Sequence, residues 1–295
     1  MPRAQVNGIE LEYETFGDPQ QPTLLLIMGL GAQLITWDER FCRNLAAEGF
    51  HVVRYDNRDA GLSTFVDSGP QPDLGAIFGG DPSSAPYLLG DLADDALALL
   101  GVLGVDHAHI VGASMGGMIA QQLVIDHPER ALSLCSIMSR PGDPTTGQPS
   151  KEAWAVLMRP RATDRGTAVE ANMQAAKVIG SPGYPREEAE LRAYVTRAYD
   201  RSNRADGFVR QLAAIIASPD RTPGLSGVTV PTLVIHGEAD ALVDVSGGRA
   251  TAAAVPKAEL LTLAGMGHDL PTALWPRIVP AIAANARAGE ALRVR

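Results

Sequence analysis

Cysteine is nearly absent. The 295 residues hold two, Cys42 and Cys135, one in a helix-like stretch and the other in a strand-like run. A disulfide framework is therefore not expected, and a cytoplasmic location is the default. Long apolar runs are missing as well. The longest, Leu24 to Leu34, is broken by Gly29 and Gly31, and the opening Met1-Pro2-Arg3-Ala4-Gln5-Val6-Asn7-Gly8 has no apolar signal core. Stable membrane insertion is not expected from such a pattern. Positive charge is the scarcer sign, with 34 Asp and Glu against 25 Lys and Arg, a net charge of −9 and no basic cluster. Phosphate backbones are held by concentrated Lys and Arg, so a nucleic-acid partner is not expected. No His/Cys/Asp group has zinc-type spacing, no Gly-Lys-Ser/Thr follows a glycine loop, and Gly29-Leu30-Gly31 lacks the rest of a dinucleotide fingerprint. The expectation is a protein with no cofactor and no metal.

What is present is an ordinary globular composition, 45% hydrophobic and 20% charged, in a chain long enough to bury a large core. Ala4 to Phe16 alternates around Asn7-Gly8, which predicts a hairpin. Apolar runs at Thr23–Met28, His51–Tyr55, His109–Ala113 and Ala131–Met138 read as strands covered on both faces. Between them, Trp37–Glu48, the stretch from Leu88 to Leu103 and Met115–His127 carry helical spacing, while Ser68–Pro86, rich in Gly, Pro, Ser and Asp, reads as a long surface loop. Strand and helix alternating with short links predict a mostly parallel sheet with right-handed crossovers.

The alternation stops at Ser139 and resumes with the strand Val230–His236. Residues 140–227 contain only helical stretches, near Lys151–Met158, Thr167–Ile179, Glu187–Tyr199 and Gly207–Ala217. They read as a helical insertion dividing an N-terminal core part, 1–139, from a C-terminal core part, 228–295. Its Trp154, Met158, Met173, Tyr184, Tyr194, Tyr199 and Phe208 either pack the insertion to the core or shape an apolar substrate cavity. A strand at Glu259–Leu263 and a closing helix from about Ala273 follow; Pro276 and Pro280 suggest a late start or a bend. Arg287 to Arg295 reads as a frayed tail.

The chemistry centres on Gly112-Ala113-Ser114-Met115-Gly116, a sharp turn between a buried strand and a helix. Such a turn presents the serine hydroxyl alone above the sheet, with helix amides pointing at the same place. Glycine, at 30 of 295 residues, is common enough for a chance Gly-x-Ser-x-Gly in roughly one such chain in five to ten. Context must decide. In a parallel sheet the loops leaving the C-terminal strand ends gather on one rim, and there stand Gly237-Glu238-Ala239-Asp240 and Gly265-Met266-Gly267-His268. Ser114 reads as nucleophile, His268 as base and Asp240 as the acid that orients it, with Asp244, Glu238 and Asp143 as alternative acids. The other histidines, His51, His107, His109, His127 and His236, read as structural, His236 being the nearest competitor.

The order Ser, Asp, His, together with Met28-Gly29-Leu30-Gly31, Arg54-Tyr55-Asp56-Asn57-Arg58-Asp59-Ala60-Gly61-Leu62-Ser63, the Ser114 turn, His236-Gly237-Glu238-Ala239-Asp240 and Gly265-Met266-Gly267-His268, resembles the α/β-hydrolase fold serine esterases over nearly the whole length. In detail it is similar to the group that includes the aclacinomycin methylesterases and related actinobacterial lipase/esterases. The resemblance implies an α/β-hydrolase fold with a mostly parallel eight-stranded sheet and a helical cap. It also implies an oxyanion hole from the amides of Leu30 and Met115, and a small-molecule ester, apolar in its body, as substrate. Two positions depart from the family pattern: Met28 stands where His is commoner, and Asp59 where many relatives have glycine. The same residues also support thioester or lipid-ester cleavage and cofactor-free perhydrolysis or acyl transfer. A non-catalytic ligand-binding protein is the alternative from outside the enzymes.

Overall fold

The computed structural model describes residues 1–293. Asn7 and Gly8 adopt positive φ, 46° and 79°, which closes the hairpin of β1 (Arg3–Val6) and β2 (Ile9–Phe16). β3 (Thr23–Ile27) leads through a turn of 3-10 helix to α1 (Glu39–Ala47), whose amino end is capped by the Asp38 carboxylate. β4 (His51–Tyr55) follows. The stretch expected as a surface loop at Ser68–Pro86 holds a short helix, α2 (Leu74–Phe78). There Asp73 accepts a hydrogen bond from the Ala76 amide and Ile77 is buried, so a local cap and one apolar anchor outweigh the loop-like composition. α3 (Leu89–Val102), β5 (Ala108–Ala113), α4 (Met115–Asp126) and β6 (Ala131–Ile137) complete the first alternation.

Between β6 and β7 lie only helices: α5 (Lys151–Leu157), α6 (Arg165–Ile179), α7 (Glu188–Arg201), α8 (Asp206–Ala217) and the short α9 (Thr222–Leu225), which the sequence pattern did not indicate. β7 (Thr232–Gly237), α10 (Val245–Ala254), β8 (Glu259–Leu263) and α11 (Trp275–Arg293) close the chain. Pro276 falls in the first turn of α11, where its missing N–H costs nothing. The expected fraying from Arg287 is not observed up to Arg293. Gly289 packs on the Leu132 carbonyl and Glu290 lies 3.1 Å from His109 Nε2, which ties this turn to the sheet; the last two residues of that tail are outside the described ones.

The eight strands form one sheet in the order β1-β2-β4-β3-β5-β6-β7-β8, antiparallel at the first two pairings and parallel from β4 to β8. Leu25, Ile27, Val53 and Ile110 face α3 and α4, whereas Leu24, Leu26, Val52 and Val111 face α1 and α11. Covered on both faces, the central strands are apolar throughout, which is why they read as continuous runs. The carboxyl ends of β3, β5, β7 and β8 open on one rim beneath the helices that follow β6. Among the described residues no helix is long and apolar enough to cross a membrane.

Candidate active site

Ser114 caps α4 with φ 57° and ψ −122°, a left-handed conformation that costs a non-glycine residue energy and is held by the packing around it. Ser114 N donates to the Ile137 carbonyl at 2.9 Å, anchoring the turn to the next strand. A side chain at Gly112 would overlap the Gly116 carbonyl, and one at Gly116 would overlap the Ile27 carbonyl. The small residues on either side of Ser114 are thus a requirement of strand and helix crossing at close range. Met115 and Met118 are buried in the core.

The structure brings Ser114 and His268 together across 154 residues: His268 Nε2 lies 2.9 Å from Ser114 Oγ. His268 Nδ1 lies 2.7 Å from Asp240 Oδ2. Asp240 is fully enclosed, and its other oxygen, Oδ1, accepts from the Leu242 and Val243 amides, each at 2.9 Å. Burial pushes the Asp240 carboxyl upward. The His268 charge and the hydrogen bonds of His236, His268 and the Val243 amide outweigh that and hold it well below the usual carboxylate range. Asp240 is therefore an anion placed to accept a hydrogen bond from the Nδ1–H of His268.

Two of the three alternative acids are engaged elsewhere, Asp143 with Thr145 and Thr146 and Asp244 as the cap of α10 through the Ser246 amide, and Glu238 is exposed. Of the competing histidines, three have local partners away from Ser114. His51 pairs with Thr23, His109 with Ser133 and Glu290, and His127 with Asp94. His236 was read as structural and as the nearest competitor of His268. It stands beside the acid, where its Nε2 donates to the Val243 carbonyl at 2.8 Å and lies 3.5 Å from Asp240 Oδ2.

The turn after β3 faces the serine. A side chain at Gly29 would come within 2.9 Å of Ser114 Cβ, so only hydrogen fits there. Among the described residues the Leu30 and Met115 amides donate to no protein acceptor, and both belong to segments packed around Ser114. Gly31 N donates to Gln211 Oε1 at 2.7 Å, and Gln211 Nε2 donates to the Arg58 carbonyl at 2.7 Å. Gln211 is fully buried and pins the turn from α8. A polar residue on the apolar face Phe208, Leu212, Ile215 was its only signal in the sequence. On the other side His268 N donates to the Ile179 carbonyl at 2.7 Å, Gly183 N to the Gly265 carbonyl at 2.9 Å, and Gly267 N to Ser181 Oγ at 2.8 Å. Ser181 also binds Asp269, whose carboxyl is raised by burial. Nothing in the sequence marked Ser181.

Asp56, Arg58 and Asp59 brace the loop after β4. Asp56 accepts from the Leu34 and Leu62 amides at 2.6 and 2.9 Å, and Arg58 pairs with Asp95 at 2.6 Å. Asp59 has φ 65°, which accounts for glycine in relatives. Here the carboxylate repays the strain by binding Arg210 at 2.7 and 2.9 Å and the Tyr87 hydroxyl at 2.6 Å. Met28 is buried, and its carbonyl accepts from Asn57 at 2.9 Å. Over the whole group lies a cavity of about 1310 Å³, lined by Ser114, His268, the Met28–Gly31 turn and the inner faces of α5 to α8. Trp154, Met173, Tyr184, Tyr194, Tyr199 and Phe208 contribute to it; Met158 does not.

Residues 22–271 match the family described as alpha/beta hydrolase fold. The chain belongs to the α/β-hydrolase family. Two relatives of this α/β hydrolase are rhodomycin D methylesterases, DauP of Streptomyces sp. strain C5 and DnrP of Streptomyces peucetius. DauP is 30% identical, with 95% of this chain and 96% of DauP covered. DnrP is 29% identical, with 98% of this chain and 99% of DnrP covered. The crystal structure of the enol-lactonase from Burkholderia xenovorans LB400 superposes with a TM-score of 0.74 at 23% identity, over 97% of this chain and 100% of the other. At that identity it speaks to the fold alone.

Proposed function

We propose that this carboxylic ester hydrolase works through a covalent Ser114 acyl-enzyme. The observation that carries the proposal is the continuous line Ser114 Oγ, His268, Asp240, with gaps of 2.9 and 2.7 Å. A serine hydroxyl is a poor nucleophile at neutral pH. His268 Nε2 takes its proton as Oγ attacks the ester carbonyl, while Asp240 fixes the Nδ1–H tautomer and stabilises the imidazolium that forms. The negative oxygen of the tetrahedral intermediate is received by the Leu30 and Met115 amides, whose free donors supply on the order of 3 kcal/mol each at the transition state. His268 then protonates the departing alcohol, and the same steps with water as nucleophile release the acid. Residues 140–227 act as a cap whose inner face bounds the cavity.

The likeness to rhodomycin D methylesterases and a cavity of about 1310 Å³ support a methyl or short acyl ester on a large apolar scaffold. That volume exceeds the usual range of roughly 300–1,000 Å³ for small-molecule sites. The test is intact-mass analysis after a fluorophosphonate probe, alongside turnover of p-nitrophenyl esters of increasing acyl length. The expected result is one adduct on Ser114, absent in Ser114→Ala and greatly slowed in His268→Ala, with turnover lost in both. Folded wild-type protein that takes no adduct and turns over no ester would overturn it.

A further inference from the structure

The protein as a whole carries a net charge of −9, yet its cavity is lined by nine Lys and Arg side chains against six Asp and Glu. Arg40, Arg186 and Arg204 of that lining are in salt bridges. The other six cations, Arg161 among them, have no carboxylate within salt-bridge distance among the described residues. An excess of cations without carboxylate partners along one cavity of an acidic protein concentrates positive potential there.

Arg161 has the most directed position. Its guanidinium lies 3.9 Å over the Phe208 ring, and a side chain at Gly31 would come within 2.8 Å of the same ring. Phe208 therefore links the cation to the turn beside Ser114. The ring positions the cation at that distance and takes none of its N–H donors in an ordinary hydrogen bond. No protein acceptor among the described residues takes those donors, and the side chain is open to solvent at the cavity wall.

Resting on the ester-hydrolase reading, we propose that the cavity selects esters whose apolar body carries an anionic group, a carboxylate in the simplest case, and that Arg161 is the residue that binds it. A guanidinium seated against an aromatic ring keeps the paired N–H donors that match a carboxylate edge. The anion would supply the counter-charge that the cavity wall lacks. The selectivity is for a second acidic group remote from the scissile ester, not for the ester itself.

The experiment is calorimetric titration of the Ser114→Ala protein with monomethyl esters of linear dicarboxylic acids, from succinate to sebacate. Each is compared with the neutral methyl ester in which the free carboxylate is replaced by methyl. The best-fitting acid ester should bind about tenfold tighter than its neutral counterpart. Arg161→Gln in the same background should bring the two within about twofold, Arg161→Lys should retain part of the difference, and 0.5 M salt should shrink it. Equal affinity for the two esters, no detectable binding of any acid ester, or a preference unmoved by Arg161→Gln would overturn the proposal. An equal loss for both esters would do the same, since it would make the contact one of stacking alone. Turnover by the wild-type protein tests the hydrolase reading separately: neutral esters cleaved without anion preference would leave that reading standing, and acid esters bound but never cleaved would leave the binding assignment standing.

Discussion

Replacing Asp240 by Asn changes one atom and should disable the site while leaving the fold intact. Oδ1 of residue 240 accepts from two backbone amides, Leu242 and Val243, both at 2.9 Å. The amide oxygen of Asn must take that position, which places its NH2 where Oδ2 stands, 2.7 Å from His268 Nδ1. An NH2 donor there requires an unprotonated Nδ1. The ring proton then moves to Nε2, points at Ser114 Oγ across the 2.9 Å gap, and leaves nothing to receive the serine proton. Enforcing the wrong tautomer costs about 10⁴ in kcat, or about 5.5 kcal/mol. Flipping the amide would restore the tautomer but set NH2 against two backbone N–H groups, at about 1–3 kcal/mol for each unmet donor. Either state should hold kcat between about 10² and 10⁴ below wild type in steady-state hydrolysis of a p-nitrophenyl ester, with the circular dichroism spectrum unchanged. The substitution also has an acid signature. The folded Asp240 carboxyl titrates below its ordinary range, so the stability it contributes is present above the unfolded value of about 3.9 and is lost as pH falls toward the folded one. Calorimetric unfolding should show wild type losing stability more steeply than the Asn variant below about pH 4. A folded Asn variant retaining more than about a tenth of wild-type kcat would refute this account of the site.

Two further perturbations follow from buried groups. Burial pushes the Cys42 thiol up to about 12 and raises that of Cys135 as well; at pH 8 about one Cys42 in 10⁴ is then thiolate. Ellman's reagent should label neither cysteine in the native protein and both in guanidinium, and prompt stoichiometric labelling of native protein would contradict the burial described. Asp59→Gly would relieve a positive φ worth roughly 1 kcal/mol but strip Arg210, whose side chain is 2% exposed, of its nearest partner. Asp206 and Asp67 remain at 3.2 and 3.4 Å, so urea unfolding should show a net loss on the order of 3 kcal/mol; an unchanged or raised midpoint would mean that the ion pair adds nothing.

The sheet was legible because its central strands are buried on both faces and must be apolar without a break, as at Thr23–Ile27. The Ser114 turn was legible because two carbonyls, of Gly116 and Ile27, leave no room for side chains at Gly112 and Gly116. Steric necessity of this kind is written locally. The misread stretches were settled by single contacts: one Asp73 cap made a helix of an apparent loop, and Glu290 with Gly289 held a helix end that looked frayed. Such contacts have no period and leave no pattern. Asp59 braces the loop after β4, and what the sequence did not carry is that its partner Arg210 lies 151 residues away on α8.

The helices after β6 are joined to the site by more than their position above it. Gln211 of α8 holds the Leu30–Gly31 turn through Gly31 and holds the following loop through Arg58, while Ile179, Ser181 and Gly183 hold the His268 loop by three hydrogen bonds. The nucleophile alone is fixed by the core, through Ile137 and the glycines around it. A chain built this way cannot shift those helices as a rigid body without disturbing both the turn facing the serine and the base that activates it. Any widening of the cavity for substrate is thereby left to side-chain movement at its wall, where Trp154 and Arg161 stand, or to local opening of α5, whose seven residues are the shortest of the four longer helices in that segment. Geometry at the reacting atoms and adaptability at the wall are in this way assigned to different parts of one insertion.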